Sequence, residues 1–444
     1  MTNLKLLAGL LLSPLLCWQL QAQDLGSAPL SMEAAINYAL ANDNSIQNAR
    51  IQIEDAELQI KERLSTGLPQ INGGLDFQHY LQVPVQAIPP EFLPPGTEGP
   101  TEVSFLLKNN FTANVGFRTM IFDGSFFVGL RAAREARSYY QLELETEERT
   151  VRNQVINAYL PVLLLNENLK ILDRNIDNLQ TLLNETSALQ QAGFVEQLDV
   201  DRLVLSLDNL LIERNNLQLN RENVMRALKY TMNYPIEQEL IIEDDVEGMV
   251  IEVEAADLES EIPYAQRPEV RLLERGIALQ DLNVELQRSA YLPTVFANAS
   301  YQYQFQGNSL NDGFWAPTGV IGLSANIPIY DFGGRSARVE RARLERETVV
   351  NQRKDLIRGI ELEVRNARTS FQSAQQSLTA RNRSLELAER IYQTTQIKYR
   401  EGVGSSLEVV QAEQSLYEAQ ANQLNAIYDL LVAKENLYQA LGRH

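Results

Sequence analysis

Few residues of this chain carry the groups that catalysis needs. It has two histidines, His79 and His444, and one cysteine, Cys17. A serine nucleophile needs an imidazole within hydrogen-bond reach as its base. His79 lies in an alternating apolar segment, His444 is the last residue, and no G-x-S-x-G segment is present. There is no H-E-x-x-H pair for zinc and no Walker A loop for a nucleotide. Carboxylates are plentiful but scattered along polar helix faces. Asp244-Asp245-Val246-Glu247-Gly248 has a calcium-binding composition, but its spacing misses the EF-hand pattern. No catalytic, cofactor or metal residue is assigned, and the chain is not read as an enzyme.

What the residue types do specify is surfaces. Four segments alternate apolar and polar side chains with period two: Ile71–Val83, Phe111–Phe122, Thr294–Gln306 and Gly319–Tyr330. In the third, Val295, Ala297, Ala299, Tyr301, Tyr303 and Phe305 alternate with Asn298, Ser300, Gln302, Gln304 and Gln306. Successive side chains on a strand point to opposite faces, so each segment has one apolar and one wet side. Such strands suit a membrane barrel with lipid outside and water inside. A barrel in lipid leaves no open edge, and about eight strands is the usual minimum. Four strands therefore predict that several chains share one barrel.

The start of the chain fits that destination. Lys5, the apolar run Leu6–Leu16 and plausible cleavage after Ala22 read as a signal peptide over residues 1–22. Lipidation of Cys17 would need a small residue before it, where Leu16 stands. After cleavage the chain has no thiol, hence no disulfide framework. No apolar run of membrane-spanning length follows. The formal net charge of −19 argues against nucleic acid as a partner.

The remainder is a tandem duplication. Asn44–Tyr80 matches Pro268–Gln304 at an offset of 224, with Leu68-Pro69 on Leu292-Pro293. Phe122-Asp123-Gly124 matches Tyr330-Asp331-Phe332-Gly333 at 208. The sixteen-residue change places a loop over Pro84–Asn110 against a shorter one over Gly307–Pro317. Gln191-Ala192-Gly193 matches Arg400-Glu401-Gly402 at 209. Each half reads helix, strand, loop, strand, very long helix, Gly turn, long helix, and the repeat fixes the architecture. The division predicted is a first repeat over 23–234, an acidic linker over 235–263 and a second repeat over 264–444.

The long helices are predicted over Phe126–Gln191, Val195–Met232, Arg335–Glu401 and Ser405–Leu441. The longest would extend about 100 Å at the helical rise. Leu169, Leu172, Ile176, Leu179 and Leu183, and then Leu416, Leu424, Ile427 and Leu431, recur at three and four. That narrow stripe is a coiled-coil seam. Pro161 should bend or break the first long helix. Gly193, Gly402 and Gly404 mark the hand-overs between helices, where glycine usually sits just past a helix end. Pro235–Pro263 holds eleven acidic residues and no Lys or Arg. It reads as a solvated linker, or else as a belt around the helices. Pro84, Pro89, Pro90, Pro94, Pro95 and Pro100 make the first loop stiff and exposed rather than a central strand. Phe314 and Trp315 flank the second loop as interfacial anchors.

The ordered set of these features resembles the TolC-type outer-membrane efflux protein family. The features are the duplicated helix-Leu-Pro-strand units, Phe122-Asp123-Gly124 with Tyr330-Asp331-Phe332-Gly333-Gly334, and the Gly turns followed by Leu198-Asp199-Val200 and Leu407-Glu408-Val409. The resemblance covers about Leu30 to Gly442. It implies a mainly helical protomer with membrane strands, three of which form a twelve-stranded outer-membrane barrel over a periplasmic tunnel of helices. It implies no catalysis. It implies an exit duct that serves an inner-membrane pump through a periplasmic adaptor, in a Gram-negative outer membrane. The adaptor-contact zone of the family matches Ala192, Gly193, Phe194 and Val195, and Gly402, Val403, Gly404 and Ser405. Glu386 and Glu389 are the nearest acidic candidates for the charged entrance. Cargo is expected to be small molecules, with an exit channel for type I protein secretion as the alternative. A periplasmic coiled-coil scaffold would also carry long hairpins, but would not need four amphipathic strands.

Overall fold

The computed structural model describes residues 29–88, 101–246 and 261–442. The signal peptide with Cys17, Pro89–Pro100, the acidic residues from Glu247 to Glu259, and His444 lie outside the described residues. Two short helices come first, α1 (Met32–Asn42) and α2 (Asn44–Thr66), divided at Asp43, whose side chain accepts from the Ser45 N–H at 2.7 Å. Strand β1 (Gln70–His79) follows, then the short pair β2 (Gln86–Ile88) and β3 (Thr101–Val103), and β4 (Asn109–Asp123). Two long helices, α3 (Gly124–Gln191) and α4 (Gln197–Thr231), close this half. The pattern recurs as α5 (Pro268–Ser289), β5 (Thr294–Ser309), β6 (Asp312–Asn326), α6 (Gly334–Arg400) and α7 (Ser406–Leu441).

The four long strands form one antiparallel sheet in the order β1-β4-β5-β6. Its register gathers one face by side-chain type. Phe77 stands opposite Phe111, Phe111 opposite Phe305, and Phe305 opposite Trp315. Ile71, Leu75, Val115, Tyr301, Ile321 and Leu323 share that face and are exposed. The other face carries Asn72, Asp76, Thr112, Asn114, Gln302, Gln304 and Ser324. Neither β1 nor β6 has a second strand partner, so the protomer does not close a barrel.

Strand limits differ from the sequence expectation in four places. The alternating segment Ile71–Val83 pairs only as far as His79, which leaves Leu81 and Val83 beyond β1. The segment Gly307–Pro317 is no loop: Gly307 pairs with Gly313 and Ser309 with Asp312, which leaves Leu310 and Asn311 as the turn. Asn311-Asp312-Gly313 is tight-hairpin chemistry. Pro317 is tolerated because β6 is an edge strand. Phe314 and Trp315 consequently lie inside β6 on opposite faces. Trp315 joins the apolar face, stacked on Tyr303 at 4.9 Å, whereas Phe314 faces the wet side opposite Gln306. A bulge after Met120 sets Phe122, rather than Ile121, opposite Val295 on the apolar face. The alternating segment Gly319–Tyr330 stops pairing at Asn326, two residues before Pro328.

The strand-to-helix hand-over that recurs in the two halves is a cap. Asp123 accepts from the Ser125 N–H at 2.8 Å, and Asp331 from the Arg335 N–H at 2.8 Å. Both carboxylates satisfy orphan donors at the start of a long helix. Helix α3 then runs 68 residues, about 100 Å at the helical rise, with Pro161 inside it and no break. The carbonyl four residues earlier, on Asn157, loses its N–H partner, but Asn157 is exposed to solvent. Val155, Tyr159, Leu160 and Leu163 are all buried around the proline, and their packing keeps the helix continuous.

The acidic segment is packed where it is described. Asp244 accepts from the Met32 N–H at 2.6 Å and the Tyr159 hydroxyl at 2.8 Å, and Leu240 and Val246 are buried. Leu30 forms a parallel bridge to Ile242. Lys229 Nζ donates to the Ile236 carbonyl at 3.0 Å. Residues 235–246 are thus anchored to α1, α3 and α4 through Leu240, Ile242, Asp244 and Val246, while Glu237, Glu239, Glu243 and Asp245 stay exposed.

Candidate docking tips and the core between the hairpins

The two hand-over turns are the same construction. At the first, Phe194 N–H donates to the Leu189 carbonyl at 2.9 Å and Gly193 N–H to Gln190 at 2.9 Å. At the second, Val403 donates to Lys398 at 3.0 Å and Gly402 to Tyr399 at 3.0 Å. This nested pair of bonds is the Schellman motif, which needs a left-handed residue just past the helix. Gly193 has φ +81° and Gly402 φ +75°. The next helix starts at once in each case. Glu196 and Asp199 form a reciprocal capping box for α4, and Ser405 Oγ accepts from the Glu408 N–H at 3.3 Å for α7.

The structure brings the two turns side by side. Ser406 Oγ hydrogen-bonds Asp199, Thr186 Oγ1 and the Tyr399 hydroxyl lie 3.2 Å apart, and Arg400 pairs with Glu185 at 3.2 Å. Ser406 is buried, so its bond to Asp199 is shielded from water. The residue after each turn glycine projects outward. Phe194 is 78 % exposed and Val403 77 %, and Leu198 and Leu407 are exposed beside them. Exposed apolar side chains are thus grouped at this end of the hairpins. Ala192, Gly193 and Ser405 are exposed as well, with Val195 and Gly404 half-buried.

Glu386 and Glu389 lie on the exposed side of α6, whereas Ala388 and Tyr392 of the same turns enter the core. They stand roughly 20–24 Å along the helix from the Gly402 turn.

Sequence reasoning missed one acidic residue nearby. Glu413 of α7 is 5 % exposed, and neither carboxylate oxygen has a hydrogen-bond partner. Burial pushes its carboxyl up to about 7. It lines a cavity between α3, α4 and α7, with Asn175, Glu213, Tyr417 and Glu418. A signal was available: Glu413 sits three residues before Leu416, on the apolar stripe of α7.

The outer membrane efflux protein family matches residues 35–232 and 264–443. The pyoverdine export outer membrane protein OpmQ of Pseudomonas putida is 24% identical over 93% of this chain and 85% of its own. The cation efflux system protein CusC of Escherichia coli is 23% identical over 93% of this chain and 86% of its own. The crystal structure of the outer membrane protein VceC from Vibrio cholerae superposes with a TM-score of 0.70 at 16% identity, covering 93% of this chain and 96% of that one.

Proposed function

This chain belongs to the outer membrane efflux protein family, and we propose on that premise that three copies join edge to edge into one twelve-stranded barrel. It is an outer-membrane efflux channel, the exit duct of a tripartite pump. The observation that carries the trimer is the sheet itself: four strands, apolar on one face and polar on the other, with both outer edges unpaired. An unpaired edge in lipid leaves a row of unsatisfied backbone groups, each costing several kcal/mol, roughly. The helices at the other end of the strands extend the duct into the periplasm. Family members are channels rather than enzymes, and the energy for transport comes from the pump.

The tips at Gly193 and Gly402 dock a periplasmic adaptor. Support comes from the exposed Phe194 and Val403 and from the cross-bracing that holds the two turns as one surface. Glu386 and Glu389 act as entrance charges on the lumen side of α6. Cargo is a small molecule. The named relatives export pyoverdine and cations, and the second of these favours small solutes over a secreted polypeptide. A photo-crosslinking residue placed at Val195 or Ser405 in cells, followed by mass spectrometry, tests the docking. Capture of one adaptor from both positions is the expected result. A trimer in the outer membrane that captures no adaptor from either tip would overturn the assignment.

A further inference from the structure

Neither the barrel strands nor the docking tips use the cavity beside Glu413. It measures about 330 Å³ and lies at the seam where α4 meets α7. Its lining is one-sided in charge. Glu213 enters from α4, Glu413 and Glu418 from α7, and no Lys or Arg lines it. From α3 it receives only the neutral Asn175, whose Nδ2 donates to Gln420. Tyr392 of α6 is the remaining titratable group that feels Glu413, and its own hydroxyl is buried without a partner. A buried carboxylate without partners is costly unless it takes a proton or a cation that brings its own donors. Among the described residues, no three His, Cys, Asp or Glu are gathered closely enough to hold a metal ion. The cavity wall also offers apolar surface from Leu210 and the Tyr417 ring.

We propose that this cavity is a binding site for a small organic ammonium ion, an amine with an apolar body. The ammonium takes Glu413 as its counter-ion and donates to the carboxylate oxygens that nothing else reaches. The body lies against Leu210 and Tyr417. A cation over the face of Tyr417 gains further attraction. Glu213 and Glu418, both exposed, raise the cation concentration at the mouth. The occupant then bridges the two helical hairpins at a level where α4 and α7 otherwise meet loosely.

Benzylammonium is a suitable probe, titrated calorimetrically into the detergent-solubilised full chain at pH 8. One saturable site per protomer is expected. Glu413→Gln should weaken it at least ten-fold, and Glu213→Gln or Glu418→Gln two- to five-fold each. Glu413 titrates near 7, so at pH 6 about nine-tenths of it is protonated and wild-type affinity should fall about ten-fold. That fall should be absent in Glu413→Gln. A thermal melt of this isosteric variant shows whether it is folded. Absence of a saturable site at pH 8, or equal affinity in a folded Glu413→Gln, would overturn the proposal, the latter by assigning binding to surface carboxylates alone.

Discussion

Glu413 shows how a single side chain couples the helical body to pH. Its folded value is near 7, against 4.5 for an unperturbed glutamate. Between those values the folded chain holds a proton that the unfolded chain has released. Stability therefore falls as pH rises from about 4.5 to 7 and is level above that window. The difference amounts to about 3 kcal/mol per protomer. Glu413→Gln should remove the slope and stabilise the protein at pH 8 by up to that amount. Thermal melts at pH 5 and pH 8, in buffer free of amines, check both statements. At this scale the sequence was partly legible. The position of Glu413 on the stripe before Leu416 was readable. The clamp made by Asp244 was not, because its partners Met32 and Tyr159 lie 212 and 85 residues away. Among so many carboxylates, spacing does not tell which one is buried. Nor does it reveal that Arg267 and Arg149 reach the last carbonyls of α7, at Ala440 and Gln439.

At the scale of elements, the hand-over turns were legible because glycine has a specific backbone use. Gly193 and Gly402 are left-handed and have nothing within 4 Å of a prospective Cβ. A Gly→Ala change at either therefore meets conformational strain and no steric clash. Each should cost roughly 1 kcal/mol, measured by thermal or denaturant unfolding, with the double variant near the sum. A loss several-fold larger would mean that the turn conformation also holds the neighbouring hairpin. The helices were legible too: Leu172, Leu179, Leu416, Leu424, Ile427 and Leu431 of the stripe are buried, and Leu169, Ile176 and Leu183 are half-buried. The elements that differed did so where tertiary context overrides a local rule. Pro161 stays within α3 because packing on several sides holds the helix and the freed carbonyl is at an exposed residue. The hairpin at Leu310-Asn311 carried its own turn signal in Asn311-Asp312-Gly313, but the loop bounds were read from the repeat offset alone. The acidic segment was open between two readings, and its described part is anchored at Leu240, Ile242, Asp244 and Val246.

For the whole molecule, the duplication and the alternating strands were enough to require several copies. What no single chain specifies is the closure, because among the described residues the outer edges of β1 and β6 have no strand partner within the protomer. The formal charge of −19 also acts at this scale. A conduit walled by such polar, acidic helices should prefer cations, with small conductance until the entrance opens. Reversal potentials in a planar bilayer under a salt gradient report that preference, and anion selectivity would count against an acidic wall.

The shared barrel is tested most directly by covalently joining its edges. Cys17 is the only native cysteine and lies in the segment read as the signal peptide, so an introduced pair has little competition. We would place one cysteine along the wet face of β1, scanning Asn72→Cys, Gly74→Cys, Asp76→Cys and Gln78→Cys, against Thr318→Cys on β6, and oxidise in outer membranes. The account predicts that one register gives covalent dimers and circular trimers, at neighbouring positions on the scan. A chain that is monomeric at every register while resident in the outer membrane would contradict it.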